Sequence, residues 1–151
     1  MTEPRTVAYD DLETLVGEHV GTSDWHQIDQ DRVQMFADAT GDHQWIHLDV
    51  ERATKLLGGT IVHGYLTLSL LPMLGSEVMS VSGVTRGINY GTNKVRFTNM
   101  VPVGSKVRLS QKCTSVEPKA GGKQVIMEST IEIEGQERPA CVAEVISVLY
   151  G

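Results

Sequence analysis

The first half of the chain carries residues at helical spacing. Between Val33 and Thr40 the pattern follows i, i+3, i+4 and i+7, which places these positions on one face of an α-helix. Asp29 can cap the start of this helix and Gly41 can end it. A second short helix is predicted over Val50–Leu57.

A longer apolar stretch, Tyr65–Met79, follows the Gly58-Gly59 pair. It has apolar residues on every side, which predicts a central helix buried all round, with Pro72 either kinking it or shifting its boundary. The most apolar part, Tyr65–Leu74, is only ten residues long, well short of the roughly 18 that a membrane span requires. We therefore expect no membrane helix.

From Val84 onward the hydrophobic residues no longer follow helical spacing but occupy every second position, which predicts β-strands. Turn-forming residues at 117–122 and 134–136 separate these segments and favour antiparallel pairing of neighbours. Helices early and strands late indicate an α+β protein with an antiparallel sheet over a buried helix. The predicted strand segments include Lys94–Phe97, Lys106–Ser110, Val125–Ile133 and Ala140–Tyr150.

Length, charge and cysteine content narrow the class of protein. With 151 residues, one domain over residues 1–151 is expected. A formal charge of −6 argues against nucleic acid as a partner. Cys113 and Cys141 have no metal-type spacing and fit buried strand positions in a reducing compartment. The N-terminus lacks the pattern of a secretory signal, so a cytoplasmic location is expected.

The densest polar cluster lies just after the first predicted helix, in residues 41–49. It contains Asp42 and His47, with a second imidazole, an amide and an indole between them. A loop can present a carboxylate and an imidazole to one water molecule, a pairing that suits general acid–base chemistry near neutral pH. A solvated surface loop, in which Asp42 caps the following turn, is the alternative.

Metal binding is a further alternative for this loop. His43 and His47 are four residues apart, with Asp42 and Asp49 nearby, and imidazole with carboxylate suits zinc or non-haem iron. A spacing of four brings two side chains to one face only in a helix, whereas this segment follows a helix-stopping glycine. It also lacks the third ligand of the familiar metalloprotease arrangement. We expect no metal site.

Two other features carry possible chemistry. Gly64 opens the central helix, so its backbone N–H is unpaired and could stabilise a developing oxyanion; alternatively it only permits a tight helix entry beside a packed His63. Strand alternation would place Lys94 and Arg96 on one face. These two, with Arg86, Lys106 and Arg108, form either a solvated surface or a landing site for phosphates.

Three ordered segments together resemble a known family. Phe36–His47, which reads FADATGDHQWIH, resembles the signature of the MaoC-like, (R)-specific enoyl-CoA hydratases of the hot-dog fold. Val62–Leu68 and Asn89–Phe97 are similar to the rest of that pattern. The likeness covers most of the chain, roughly Trp25 to Tyr150.

The resemblance implies a long central helix wrapped by a curved antiparallel sheet, with two protomers forming a homodimer. It implies addition of water to a trans-2-enoyl-CoA to give the (R)-3-hydroxyacyl-CoA, with no metal or redox cofactor, since coenzyme A is part of the substrate. Asp42 and His47 match the family's catalytic pair. Gly64 matches the glycine whose backbone N–H binds the thioester oxygen.

One departure from the family bears on the substrate. The usual motif has Asn-Pro where this chain has Gln44 and Trp45, which predicts a different shape of acyl pocket. With His63, Lys94 and Arg96, these residues are the expected substrate contacts. The alternative functions are a 3-hydroxyacyl-thioester dehydratase acting on a carrier protein, a hot-dog thioesterase and a non-catalytic acyl-thioester-binding subunit.

Overall fold

The computed structural model describes residues 3–151. Helices dominate the first half of the chain and strands the second, as the hydrophobic pattern predicts. The helical elements are a 3₁₀ helix at Tyr9–Leu15, then α1 (Gln30–Thr40), α2 (Trp45–Leu48), α3 (Val50–Leu57), α4 (Gly64–Ser69) and α5 (Leu71–Val78). The strands are β1 (Arg5–Ala8), β2 (His19–Thr22), β3 (His26–Gln27), β4 (Met79–Ser82), β5 (Arg86–Arg96), β6 (Lys106–Lys119), β7 (Gly122–Ile133) and β8 (Cys141–Tyr150).

The main sheet is antiparallel throughout, in the order β2-β6-β7-β8-β5, and β3 also pairs with β6. The predicted turn between β6 and β7 lies at Ala120 and Gly121, where φ is +50° and +85°. Positive φ at both positions suits the turn of a tight hairpin. Strand β5 lies at one edge of the main sheet. A separate parallel pair, β1 with β4, is not anticipated by the sequence pattern.

Helix α1 begins and ends where its capping residues predict. The Asp29 carboxylate accepts a hydrogen bond from the Arg32 backbone N–H at 2.9 Å, and Gly41 ends the helix in the left-handed conformation at φ +84°. Val33 and Ala37 are fully buried on its inner face. The end of α1 therefore fixes where the loop containing Asp42 begins.

The central helix differs from the prediction in two respects. It is divided at Leu70 into α4 and α5, with Pro72 in the first turn of α5, where proline is tolerated. It is not buried on all sides. Leu66, Leu70 and Leu74 pack into the core, whereas the opposite stripe, which is Tyr65, Ser69, Pro72 and Ser76, is exposed.

The remaining core lies between this helix pair and the inner face of the sheet. Leu109, Ile131 and Ile133 are at most 2% exposed, and both cysteines are buried free thiols on the sheet, as predicted. Among residues 3–151, no helix has the length and apolar character needed to cross a membrane.

Candidate active site

The loop between α1 and α2 brings a carboxylate to a buried imidazole. Asp42 Oδ2 lies 3.9 Å from His47 Nε2, and the Asp42 side chain is 50% exposed while that of His47 is 8% exposed. Asp42 can therefore exchange protons with solvent, whereas His47 meets little water. A water molecule or hydroxyl between these two atoms would be within reach of both.

A hydrogen bond at Nδ1, the ring nitrogen that does not face Asp42, fixes the orientation of His47. His47 Nδ1 lies 2.7 Å from the carbonyl oxygen of Ile61, and a carbonyl can only accept, so Nδ1 carries a proton. In the neutral ring the lone pair is then on Nε2, the atom that faces Asp42. The hydrogen bond to Ile61 thus selects the tautomer that can act as a base toward the loop.

Two polar residues outside the loop hold the backbone of His47. The Gln30 side-chain amide donates to the His47 carbonyl oxygen at 2.7 Å, and the Thr60 hydroxyl donates to Gln30 Oε1 at 2.7 Å. This chain links the start of α1 with the segment before α4. The sequence analysis misses both Gln30 and Thr60, because no local pattern distinguishes them from ordinary helix and loop residues.

His63 lies behind His47. It is 2% exposed, its ring stacks on that of His47 at 3.8 Å between centroids, and its Nε2–H donates to the Asp42 carbonyl oxygen at 3.1 Å. Nδ1 is buried and, among the described residues, has no hydrogen-bond partner. Burial lowers the pKa of His63, so the ring is neutral at pH 7. This placement makes His63 a support for the loop and for His47.

Gly64 begins α4 immediately beyond His63, so the N–H groups of its first turn have no partners within the helix. An ideal Cβ at Gly64 would lie 3.2 Å from ring carbons of Phe97, which leaves little room for a side chain. A cavity of about 420 Å³ opens here, lined by His47, Gly64, Phe97 and nine other residues between Ile61 and Ala140. The imidazole and the helix start therefore share one cavity.

The two residues that depart from the family motif lie outside this cavity lining. The Gln44 backbone N–H donates to Asp42 Oδ1 at 3.3 Å, a contact that orients the carboxylate. Arg52 stacks over the Trp45 ring at 4.1 Å. His43, in the same loop, hydrogen-bonds to Asp38, and this bond raises the pKa of His43.

The structure gives carboxylate or carbonyl partners to three of the basic residues that the sequence offers as phosphate contacts. Lys94 pairs with Glu144 at 3.2 Å and Arg108 pairs with Glu132, so two of the expected phosphate contacts have carboxylate partners. Arg96 donates to the Val95 carbonyl oxygen. A bulge between Asn93 and Arg96, with Lys94 at φ +53°, interrupts the alternation expected to place Lys94 and Arg96 on one face.

Asp42, His47 and His63 each offer one metal-ligand atom within 4.8 Å of the others. The sequence spacing suggests His43 in place of His63. The two rings are stacked, with 3.8 Å between centroids and 24° between their planes, so an ion placed between them would lie out of the plane of each ring and away from its nitrogen lone pair. Tetrahedral zinc requires ligand atoms that converge at about 2.0–2.1 Å from the ion. The geometry suits an acid–base pair better than a metal centre.

The helix pair packed on an antiparallel sheet is the hot-dog architecture, and here a carboxylate and an imidazole lie beside the helix start. A family model described as the MaoC like domain matches residues 11–135, and the chain belongs to this family. The predicted family, fold and hydro-lyase class are confirmed.

Related proteins agree with this assignment. The chain is 53% identical over 138 residues to 3-hydroxyacyl-thioester dehydratase Z of Mycobacterium tuberculosis, covering 90% of this chain and 91% of that protein. It is 40% identical over 143 residues to nodulation protein N of Rhizobium leguminosarum, covering 92% and 89%.

Solved structures share the fold. An R-hydratase from Pseudomonas aeruginosa superposes with a TM-score of 0.73 at 23% identity, covering 89% of this chain and 81% of that one. A MaoC-like dehydratase from Rhodospirillum rubrum superposes with a TM-score of 0.74 at 23% identity, covering 92% and 95%.

Proposed function

We propose that this protein catalyses the reversible removal of water from an (R)-3-hydroxyacyl thioester to give the trans-2-enoyl thioester. The sequence analysis put hydration of enoyl-CoA first and dehydration second. The 53% identical relative is named a 3-hydroxyacyl-thioester dehydratase, which favours the dehydratase reading. The observation that carries the proposal is the 3.9 Å approach of His47 Nε2 and Asp42 Oδ2 at a cavity that Gly64 also lines.

In this proposal Asp42 and His47 share the proton transfers. One member of the pair removes the proton from C2 of the substrate while the other donates a proton to the hydroxyl on C3. The C2–H and C3–O bonds break, the C2–C3 double bond forms, and water leaves. A proton passing between the two groups restores the starting state, and hydration is the same sequence in reverse.

Gly64 has the role of an oxyanion donor. Removal of the C2 proton places negative charge on the thioester oxygen, and the N–H at the start of α4 is a fixed dipole that can meet this charge. Loss of one such donor costs about 3–4 kcal/mol in other enzymes.

The experiment follows the absorbance of the conjugated enoyl thioester, with crotonyl-CoA in one direction and (R)-3-hydroxybutyryl-CoA in the other. Asp42→Asn and His47→Gln are expected to lower kcat by roughly 10²–10⁴-fold, because each removes a proton-transfer group. Asp38→Asn and His43→Gln are matched controls, since these two exposed side chains form a carboxylate–imidazole pair at 2.9 Å that does not line the cavity. Equal activity in site variants and controls would refute the assignment, and release of free thiol would indicate a thioesterase.

The thioester carrier is proposed to be coenzyme A, with Arg96 and the other exposed cations contributing attraction to its phosphates. Charge reversal at Lys94 and Arg96 is expected to raise KM at low salt and much less at high salt. An unchanged KM at both salt concentrations would contradict this part. The cytoplasmic location expected from the sequence stays a prediction.

The proposed assembly is a homodimer formed through β5. This edge strand is 11 residues long, pairs only with β8 among the described strands, and exposes Ile88 and Tyr90 at 46% and 56%. A long exposed edge of this kind is a ready partner for another strand. Light scattering on the purified protein tests this, and a monomer at working concentration would contradict it.

A further inference from the structure

A second and larger cavity lies between the central helix pair and the sheet. Its volume is about 860 Å³, and no charged residue lines it. Along α4, the lining of this cavity begins at Leu68. The preceding residue, Thr67, lines the cavity of the candidate site. The apolar side chains on its wall include Leu68, Leu71, Met79, Val125, Met127 and Val145. The two cavities share no lining residue, so the passage of an acyl chain from the site along α4 into this space is part of the proposal below.

Gln111 is the buried residue among the polar residues that line this cavity; the others, which include Ser76, Asn89 and Ser147, are exposed or half-buried. Gln111 on β6 and Ser129 on β7 are opposite each other in the sheet register, with exposures of 8% and 2%. Gln111 Nε2 donates to Ser129 Oγ at 2.9 Å, and the serine hydroxyl donates to the Met127 carbonyl oxygen at 3.3 Å. The single hydroxyl proton of Ser129 is thus already used, so of this pair only Gln111 has a free N–H.

Gln111 faces the cavity with half of its amide unpaired. Within residues 3–151, no protein group donates to its Oε1, and its second N–H has no protein acceptor. Gln111 is also part of the cavity wall. Among the described side chains, His63 Nδ1 is the polar atom that is both buried and without a partner, so Gln111 Oε1 is open to the cavity. A ligand group that enters the cavity can therefore pair with it.

Gly75 keeps this amide accessible from the helix side. It lies in the middle of α5, where glycine is unfavourable for helix formation, and it also lines the cavity. An ideal Cβ at Gly75 would lie 4.0 Å from Gln111 Oε1, in van der Waals contact with it. The absence of a side chain at this position therefore leaves the carbonyl of the Gln111 amide open.

We propose that the Gln111 amide binds a hydroxyl group on the distal part of the acyl chain, so that the preferred substrates are acyl thioesters with a second, remote hydroxyl. This inference rests on the proposed function. A hydroxyl both donates to Oε1 and accepts from the free N–H, which a methyl end cannot do. A carboxylate is disfavoured, because the uncharged wall offers no counter-charge.

The position of Gln111 sets where that hydroxyl must be. Gly75 is eleven residues beyond Gly64, and a helical rise of 1.5 Å per residue places it roughly 16 Å further along the helix pair. The hydroxyl is therefore near the far end of a long chain, well separated from the reacting C2 and C3 atoms. Chain length and hydroxyl position can be varied independently of the chemistry.

The test uses 3-hydroxyoctanoyl-CoA, 3-hydroxydodecanoyl-CoA and 3-hydroxyhexadecanoyl-CoA. Each is compared with the same thioester that has a second hydroxyl on the last carbon of the chain. For at least one chain length, wild-type kcat/KM is expected to be about tenfold or more higher for the hydroxylated substrate. Gln111→Leu should reverse this preference, because it leaves the hydroxyl unpaired and favours the plain chain. Gln34→Leu, the same change at an exposed position of α1, is the matched control and should retain the wild-type preference.

Gly75→Ala provides a second, independent variant. Its methyl group covers Gln111 Oε1, so the preference for the hydroxylated chain should fall, while the melting temperature should stay the same or rise because alanine favours helix. Equal kcat/KM for plain and hydroxylated chains at all three lengths would overturn the proposal.

Wild-type turnover of crotonyl-CoA tests the proposed function separately, since that short chain ends far from Gln111. Activity on crotonyl-CoA without any preference for the hydroxyl would overturn only the inference. Failure with every thioester would overturn both.

Discussion

His63 gives the sharpest test of how the site is held together. Its ring is buried against His47, and its Nε2–H donates to the Asp42 carbonyl oxygen. His63→Gln retains an amide N–H that can reach that oxygen, whereas His63→Leu, of similar volume, retains none. Both variants lose the ring stack, so the difference between them isolates the hydrogen bond to the loop.

The two variants should rank in opposite orders for activity and stability. Without the donor, the Asp42 loop is free to move, and a displacement of about 1 Å at a reacting group can cost about 10²-fold in rate. We expect kcat of His63→Leu to be roughly 10–100-fold below that of His63→Gln, with little change in KM. Burying a partly paired amide costs about 1–3 kcal/mol, so His63→Gln should be the less stable protein.

The assays are steady-state kinetics on crotonyl-CoA and thermal unfolding followed by circular dichroism. For a domain of this size, about 1 kcal/mol corresponds to about 2–4 °C in Tm, so the stability order is measurable. The reasoning is refuted if kcat follows Tm, with His63→Leu both more stable and more active. It is also refuted if the loss appears in KM alone, because His63 would then act on substrate binding.

Three further predictions follow from local geometry. Gly64→Ala should lower kcat, because its Cβ meets the Phe97 ring at 3.2 Å, and Phe97→Leu in the same chain should restore part of the loss. Burial raises the pKa of the Cys141 thiol to about 11, so Ellman's reagent should label it only after unfolding. The bond to Asp38 raises the pKa of His43, so its NMR titration should lie above the ordinary 6.5, and its pKa should fall in Asp38→Asn. The accompanying stabilisation is present below pH 6.5 and is lost as pH rises through the raised pKa.

Local signals were sufficient for much of the fold. Asp29 and Gly41 mark the ends of α1 because capping depends only on nearby backbone groups. Val50–Leu57 is a helix with the predicted bounds, and the period-two segments are strands. Asp42, His47 and Gly64 were singled out from the sequence, and the structure brings His47 and Gly64 to one cavity with Asp42 beside them.

The parts that could not be predicted depend on contacts between distant segments. The contacts that Gln30 makes with Thr60 and with the His47 backbone join three separate stretches of chain. The exposed stripe that includes Tyr65 arises from how the helix pair lies on the sheet, and apolar composition alone does not determine it. The pairing of Lys94 with Glu144 likewise depends on the register of β5 against β8.

The hydrogen bonds of the candidate site also have a consequence for how this protein can diversify. The bonds from His63 to Asp42 and from His47 to Ile61 close the segment 42–64 on itself, so Asp42 and His47 are positioned by their own stretch of chain together with Gln30. The wall of the cavity that Gln111 lines belongs to the helix pair beyond Thr67 and to strands β4 to β8 instead. On the proposed roles, substitutions there would change which acyl chains are accepted while the distance between Asp42 and His47 is preserved, so substrate choice and catalysis would be separately adjustable in this chain.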